Sequence, residues 1–181
     1  RRRLNPKFVL VTQLSIGQDT RHIKDDAPRT WAYLLANKAA LDGRVSIVYR
    51  NKPAFSIFGV GDYSFAPWKI AISGLYKTLT FKLYGGECSK SVMFDDTVYF
   101  LPFTNLEEAE LVLSMLRSAA AQEFLNSMIF WDEKRPITIE LLKRLDIEKL
   151  AVASGRDGEL SALRKAACSD RTVPAQMSFL A

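Results

Sequence analysis

Histidine, cysteine and long apolar runs are what this sequence has least of. Its 181 residues contain one histidine, His22, in a polar stretch with no serine or cysteine motif beside it. A Ser–His or Cys–His catalytic pair therefore has no visible base. The two cysteines, Cys88 and Cys168, stand eighty positions apart and form no Cys-x-x-Cys pair. That excludes a disulfide scaffold and argues against a zinc site, so both read as free thiols of a cytoplasmic protein. No run of 18 apolar residues occurs, which excludes a membrane-spanning helix. Basic residues 1–3 are followed by a stretch interrupted by Gln13, Gln18 and Asp19, so no signal peptide is visible. The chain does not begin with methionine, and we read it as a fragment or a processed chain.

What is present is an ordinary core and an uneven charge. Apolar residues make up 48% of the chain, enough for one domain of this length. The net charge of +5 conceals a division. Residues 1–90 hold 15 Lys and Arg against 6 Asp and Glu, whereas residues 91–181 hold 10 against 14. A basic half of this kind suits a polyanion, and nucleic acid is the first candidate because cations release counterions from phosphates.

The hydrophobic pattern changes period midway. Phe8–Thr12 and Val45–Tyr49 are short β-branched runs and predict strands. Thr30 precedes Trp31, Tyr33, Leu34 and Leu35 and predicts a capped short helix ending near Asp42-Gly43. From Phe55 to Phe81, apolar stretches broken by Gly59, Gly61, Pro67 and Gly74 predict short strands and tight turns. Thr97–Leu101 predicts a further strand, stopped by Pro102. Thr104 and Glu107 then form a capping-box pattern before one long or two short helices over residues 105–128. Thr138 caps another helix, with Leu141, Leu142, Leu145 and Leu150 inward. Residues 154–158 read as a linker, followed by a weak helix near 159–167. The expected fold is α+β: a twisted, mostly antiparallel sheet of short strands in residues 8–101, with helices in the C-terminal half. Residues 1–151 form the domain, and residues 152–181 a linker and tail.

Two groups of residues invite a catalytic reading. Asp95-Asp96 and Asp132-Glu133-Lys134 have the composition of a metal-dependent nuclease, in which carboxylates and a lysine surround Mg²⁺. Asp132 and Glu133 follow a helix rather than lying on a strand, so they read better as solvated charges, and no metal is expected. Gly59-Val60-Gly61 suggests a dinucleotide or S-adenosylmethionine loop. However, Ser64 stands where a third glycine belongs, and Asp62–Pro67 does not begin a helix. No catalytic residue is assigned.

The run Phe55–Lys77 resembles the target-recognition domain of the Taq-type, gamma-class adenine-specific DNA methyltransferases and related fused restriction–modification proteins. Gln13–Thr20, Asp95–Pro102, Ala121–Leu125 and Phe130–Thr138 resemble that region in the same order, covering roughly residues 8–150. Full enzymes of the family bind S-adenosylmethionine in an upstream catalytic domain that carries an Asn-Pro-Pro-aromatic motif. This chain has no Pro-Pro, and Asn5-Pro6-Lys7-Phe8 is only an echo. The resemblance implies the specificity domain alone: it binds double-stranded DNA beside a methyltransferase catalytic domain, in the same polypeptide or a partner chain, and holds no cofactor itself.

Within that reading Lys69 and Lys77 are the leading phosphate contacts, with Arg21, Lys24, Arg50 and Lys52 in or beside loops of the basic half. Tyr63 and Trp68 stand between core and DNA-contacting surface. Gly59, Gly61 and Gly74 shape loops or admit a close backbone approach. Arg1–Arg3 reads as the stub of an interdomain linker. Besides the nuclease, a protein-interaction module docking on a catalytic partner is the alternative, and it predicts an apolar patch on the helices of residues 105–150.

Overall fold

A computed structural model describes residues 7–86 and 90–168. Arg1–Arg3, Cys88 and the tail beyond residue 168 lie outside the described residues. The chain divides into two compact units, Arg1–Ser64 and Phe65–Ala181. The fold is α+β, with its three described strands and five of its eight described helices in the second unit.

The first unit is built from α1 (Ile23–Asp26), α2 (Pro28–Ala36) and α3 (Lys38–Asp42). α2 begins three residues earlier than the Thr30 cap implies. Pro28 fits the first helical turn, where its missing N–H and fixed φ cost nothing. The core is small: Ile23, Leu34 and Phe55 are buried, with Ala27, Trp31 and Leu41 against them. The Trp31 and Phe55 rings meet edge to face at 5.3 Å.

Neither strand expected in this unit forms. Residues 7–13 carry no ladder, and Ile47–Tyr49 is a 3₁₀ turn. Side chains take over the work of a ladder. The Thr12 hydroxyl donates to the Phe55 carbonyl at 2.7 Å, and the Thr20 hydroxyl donates to that of Ala54 at 2.6 Å. The Ile57 amide donates to Gln13 Oε1 at 3.0 Å, while Arg44 Nη1 donates to the Ser56 carbonyl at 2.7 Å. Thr12, Gln13 and Thr20 are buried for this reason, not as core hydrophobes.

The second unit holds a three-stranded antiparallel sheet of β1 (Trp68–Ser73), β2 (Lys82–Gly85) and β3 (Val98–Phe103), in the order β2-β1-β3. Within Phe55–Phe81 only β1 is a strand; the rest is turns and a 3₁₀ turn, Asp62–Phe65. β3 runs through Pro102 instead of stopping there, because an edge strand has one side without a ladder. The register places Ile70 opposite Leu83 and Leu101, and Ala71 opposite Lys82 and Phe100. Alternation then gives two faces. Ile70, Ile72, Leu101 and Phe103 turn toward the helices, and Lys69, Ala71, Ser73, Lys82 and Tyr84 line the other face.

The helical layer begins with α4 (Leu106–Leu116) and α5 (Ala119–Asn126), two helices where one was an alternative. The cap of α4 is Asn105, one residue past the expected Thr104, and its Oδ1 accepts from the Glu108 amide at 3.1 Å. α6 (Ile139–Leu142) starts from Thr138 as expected, and the Asp146 side chain caps α7 (Ile147–Ala153). α8 spans Asp157–Cys168 in the stretch read as linker and weak helix, and it packs on α4 and α7. Arg164 holds it there, donating from Nε to the buried Glu108 carboxylate at 3.0 Å and from Nη1 to Glu148. On α4 Ala109, Leu113 and Leu116 are buried, whereas on α5 the buried residues are Ala121 and Leu125, with Ala120 and Phe124 exposed. The break between α4 and α5 at Arg117-Ser118 resets the phase.

Candidate nucleic-acid interface

The sheet face away from the helices carries a cleft of about 520 Å³. Its floor includes Ala71, Ser73, Lys82 and Tyr84, and its walls are the 75–80 turn and the 93–98 segment. Ser73, Thr78, Thr80, Thr97, Tyr76 and Tyr84 supply hydroxyls, and Lys82 supplies the cation. Tyr84, Phe94 and Phe100 form a ring cluster, with centroids 5.3 and 5.5 Å apart along the chain of contacts. Such a surface offers donors, acceptors and flat apolar area together, which suits base edges and sugars. Asp95 also lines the cleft; hydrogen bonds from the Thr97 hydroxyl (2.6 Å) and amide (3.0 Å) hold its carboxyl below the usual carboxylate range.

Lys69, a leading candidate from the sequence, does not reach this surface. It is only 2% exposed. Its Nζ donates to the carbonyls of Ala66 and Val92, each at 2.9 Å, and lies 5.8 Å from the centre of the Phe100 ring. Burial pulls its pKa down to about 8. Lys69 thus ties the segment after Lys90 to the sheet and is a structural residue, not a phosphate contact at the surface. Lys77 is exposed, but its Nζ donates to the carbonyls of Trp131 and Glu133, the latter at 2.9 Å. It fixes the 130–133 turn while keeping its charge at the surface.

Trp68 alternates to the helical side of β1 and packs against the core. A Cβ on Gly86, where φ is +73°, would sit 2.1 Å from Trp68 Cη2, so the indole requires that glycine. Gly74 matters through close approach: a Cβ there would lie 2.9 Å from both the Ile137 carbonyl and Tyr99 Cε2. Gly61 faces the half-buried Tyr63 ring in the same way, and Gly59 has a positive φ. The Gly59–Gly61 loop leads into one 3₁₀ turn and no helix, so the glycine-loop-then-helix arrangement is not formed there.

In the first unit a separate concavity of about 410 Å³ brings Arg50 and Lys52 together with Arg44, Ser46 and Tyr49. Sequence reasoning missed Arg44. Its Nε donates to the Leu41 carbonyl at 2.7 Å and its guanidinium stacks 3.8 Å from the centre of the Tyr49 ring. Arg21 is exposed and paired with Asp19 at 2.6 Å, which lowers the Asp19 carboxyl and raises the guanidinium further. Lys24 is exposed on α1, and the exposed His22 bonds through Nδ1 to the Asp19 carbonyl at 2.7 Å. Lys82 and Tyr84 also escaped the sequence reading, because only the register shows which residues share the cleft.

Among the described residues no three His, Cys, Asp or Glu side chains gather as a metal site. Asp96 is engaged by Arg135 at 3.3 Å instead. No helix of the described residues is long and apolar enough to cross a membrane. The helices of residues 105–150 do not carry the broad apolar patch that the interaction-module alternative requires; among the described residues, the exposed large hydrophobics on them are Phe124 on α5 and Val152 near the end of α7.

Comparison with known proteins gives these features a context. No protein-family profile and no solved structure matches the chain. Over 145 residues, 80% of its length, the chain is 54% identical to the Type II methyltransferase M.NspV of Nostoc sp.. It spans about 30% of that curated relative. Over four-fifths of its length, then, the chain is homologous to part of a Type II methyltransferase.

Proposed function

We propose that this chain is the target-recognition part of an S-adenosylmethionine-dependent adenine-N6 DNA methyltransferase of a restriction–modification system. The observation that carries the reading is its relationship to part of a methyltransferase, a part without a catalytic motif. In this reading it recognises a specific duplex sequence, and the cofactor and the methyl-transfer residues belong to a catalytic domain elsewhere. Methylation at adenine N6 requires the base to leave the stack, so the recognition part must hold the flanking duplex while that happens.

Its own side chains divide the work. Lys82, Tyr76, Tyr84 and the threonines of the sheet cleft face base edges and sugars. Arg50 and Lys52, beside the fixed Arg44, take phosphates, and exposed Lys77, Arg21 and Lys24 add to the field. Titration of the chain with a long duplex over a salt series tests this. Binding should weaken steeply as salt rises. Lys82→Ala should reduce preference for the cognate site, while Arg50→Ala and Lys52→Ala should each flatten the salt slope by about 1. Binding that is absent at low salt, or indifferent to all three substitutions, refutes the proposal.

A further inference from the structure

The first unit has more apolar surface than its own fold covers. Among the described residues, eleven of the seventeen large hydrophobic side chains left exposed belong to it, although it is the smaller unit. They concentrate in two runs, residues 8–16 and 45–48. Phe8 is 74% exposed, Val9 65%, Ile47 71% and Val45 96%. Scattered exposed leucines are ordinary on a protein surface, but consecutive exposed hydrophobes are not. Val9 and Leu10 are successive residues, and both side chains are uncovered.

The backbone agrees. The amides and carbonyls of Val9, Leu10 and Val11 have no hydrogen-bond partner among the described residues. Immediately after them, Thr12 and Gln13 turn inward and anchor the segment through their side chains. The stretch Val9–Val11, apolar and largely β-branched, held at one end and with its backbone groups open, has the chemistry of a strand that pairs with another sheet.

We infer that residues 9–11 add as a strand to a sheet of the remaining methyltransferase polypeptide, with the 45–48 turn packing on that same partner. The partner is the kind of chain that makes up the 70% of the Nostoc relative outside the match. This rests on the reading of the chain as part of a methyltransferase, and is independent of whether its cleft binds DNA. The small core of Ile23, Leu34 and Phe55 explains why the unit would need such cover.

Hydrogen exchange, measured without DNA, tests the inference. The 181-residue chain is compared with a full-length chimaera in which it replaces the matched segment of the Nostoc methyltransferase. Amides of Val9–Val11 should exchange near the unprotected rate in the chain alone and about 100-fold more slowly in the chimaera. Val9→Lys with Ile47→Lys should remove that protection in the chimaera and leave the melting temperature of the 181-residue chain unchanged, since both side chains are exposed there. If the chimaera does not fold, the unaltered Nostoc enzyme gives the same comparison at its aligned segment. Equal exchange in both contexts overturns the inference. So does protection that appears in the chain alone as its concentration rises, which would make a second copy the occupant. A chain that fails to bind duplex yet shows protection in the chimaera retains this inference and loses the DNA reading.

Discussion

Residues 65–168 satisfy their backbone through two antiparallel pairings and cover one sheet face with a cluster of 22 buried hydrophobic residues. Residues 7–64 have no ladder, bury a cluster of three, and hold the backbone of residues 54–57 through side chains of Thr12, Gln13, Thr20 and Arg44. The two units therefore differ in where their stability comes from. In the second it comes from apolar burial, which is large and spread over many residues. In the first it depends on a few specific hydrogen bonds, each worth about 0.5–1.5 kcal/mol net. A unit of the first kind gains more from a partner, and the candidate docking strand lies in it.

Core truncation should separate them most clearly. Leu116, fully buried where α4 meets the sheet, should cost about 2–5 kcal/mol when changed to Ala. Leu34→Ala should fall at or below the low end of that range, because the small cluster around it can collapse into the gap. Denaturant unfolding of both variants checks the order. A Leu34→Ala loss larger than that of Leu116→Ala would break the contrast.

Arg164→Met comes next and tests whether α8 belongs to the second unit. The Glu108 carboxylate is buried, and removing its guanidinium partner leaves an uncompensated charge, with an expected loss of about 3–5 kcal/mol. The double variant Arg164→Met, Glu108→Leu should recover most of that loss, since both partners then leave together. Recovery in the melting temperature sharpens the point; no loss in the single variant would return α8 to the status of a tail.

Much of the second unit was legible in the sequence, for a physical reason. Apolar spacing marks helices directly, and Thr138 caps α6 where its hydroxyl reaches the Leu141 amide. Errors arose where two local answers compete. Thr104 and Asn105 can both cap a helix, and Asn105 does. The Phe8–Thr12 run has strand composition, but a strand needs a neighbour, and sequence does not say whether this chain supplies one. The site was less legible. Lys69 and Lys82 are both lysines on short strands, facing the same side, yet one is sealed under the 90–94 segment and the other is open in the cleft. Only the return of Val92 over the sheet distinguishes them. Arg44 was invisible for the same reason, its partners at Ser56 and Tyr49 being set by the tertiary fold.

Lys69 also gives the smallest and most diagnostic effect. Changing it to Met keeps the apolar stem but strands the Ala66 and Val92 carbonyls, each at about 1–3 kcal/mol if left unpaired. Against this, the variant no longer buries an ammonium, whose cost is what lowers its pKa from 10.5 to about 8. Near pH 7 the two nearly offset, leaving a net loss of about 1 kcal/mol. The pH dependence has a definite sign. Between pH 8 and 10.5 the unfolded chain holds a proton on Lys69 that the folded chain has released, so wild-type stability gains as pH rises through that window. The neutral amine retains two N–H donors, enough for both carbonyls, so nothing is lost in exchange. The Met variant has no such group. Its deficit relative to wild type should therefore widen from pH 7 to pH 9.5 in paired thermal melts, and a deficit that stays constant would mean Lys69 is solvated like Lys82 of the cleft.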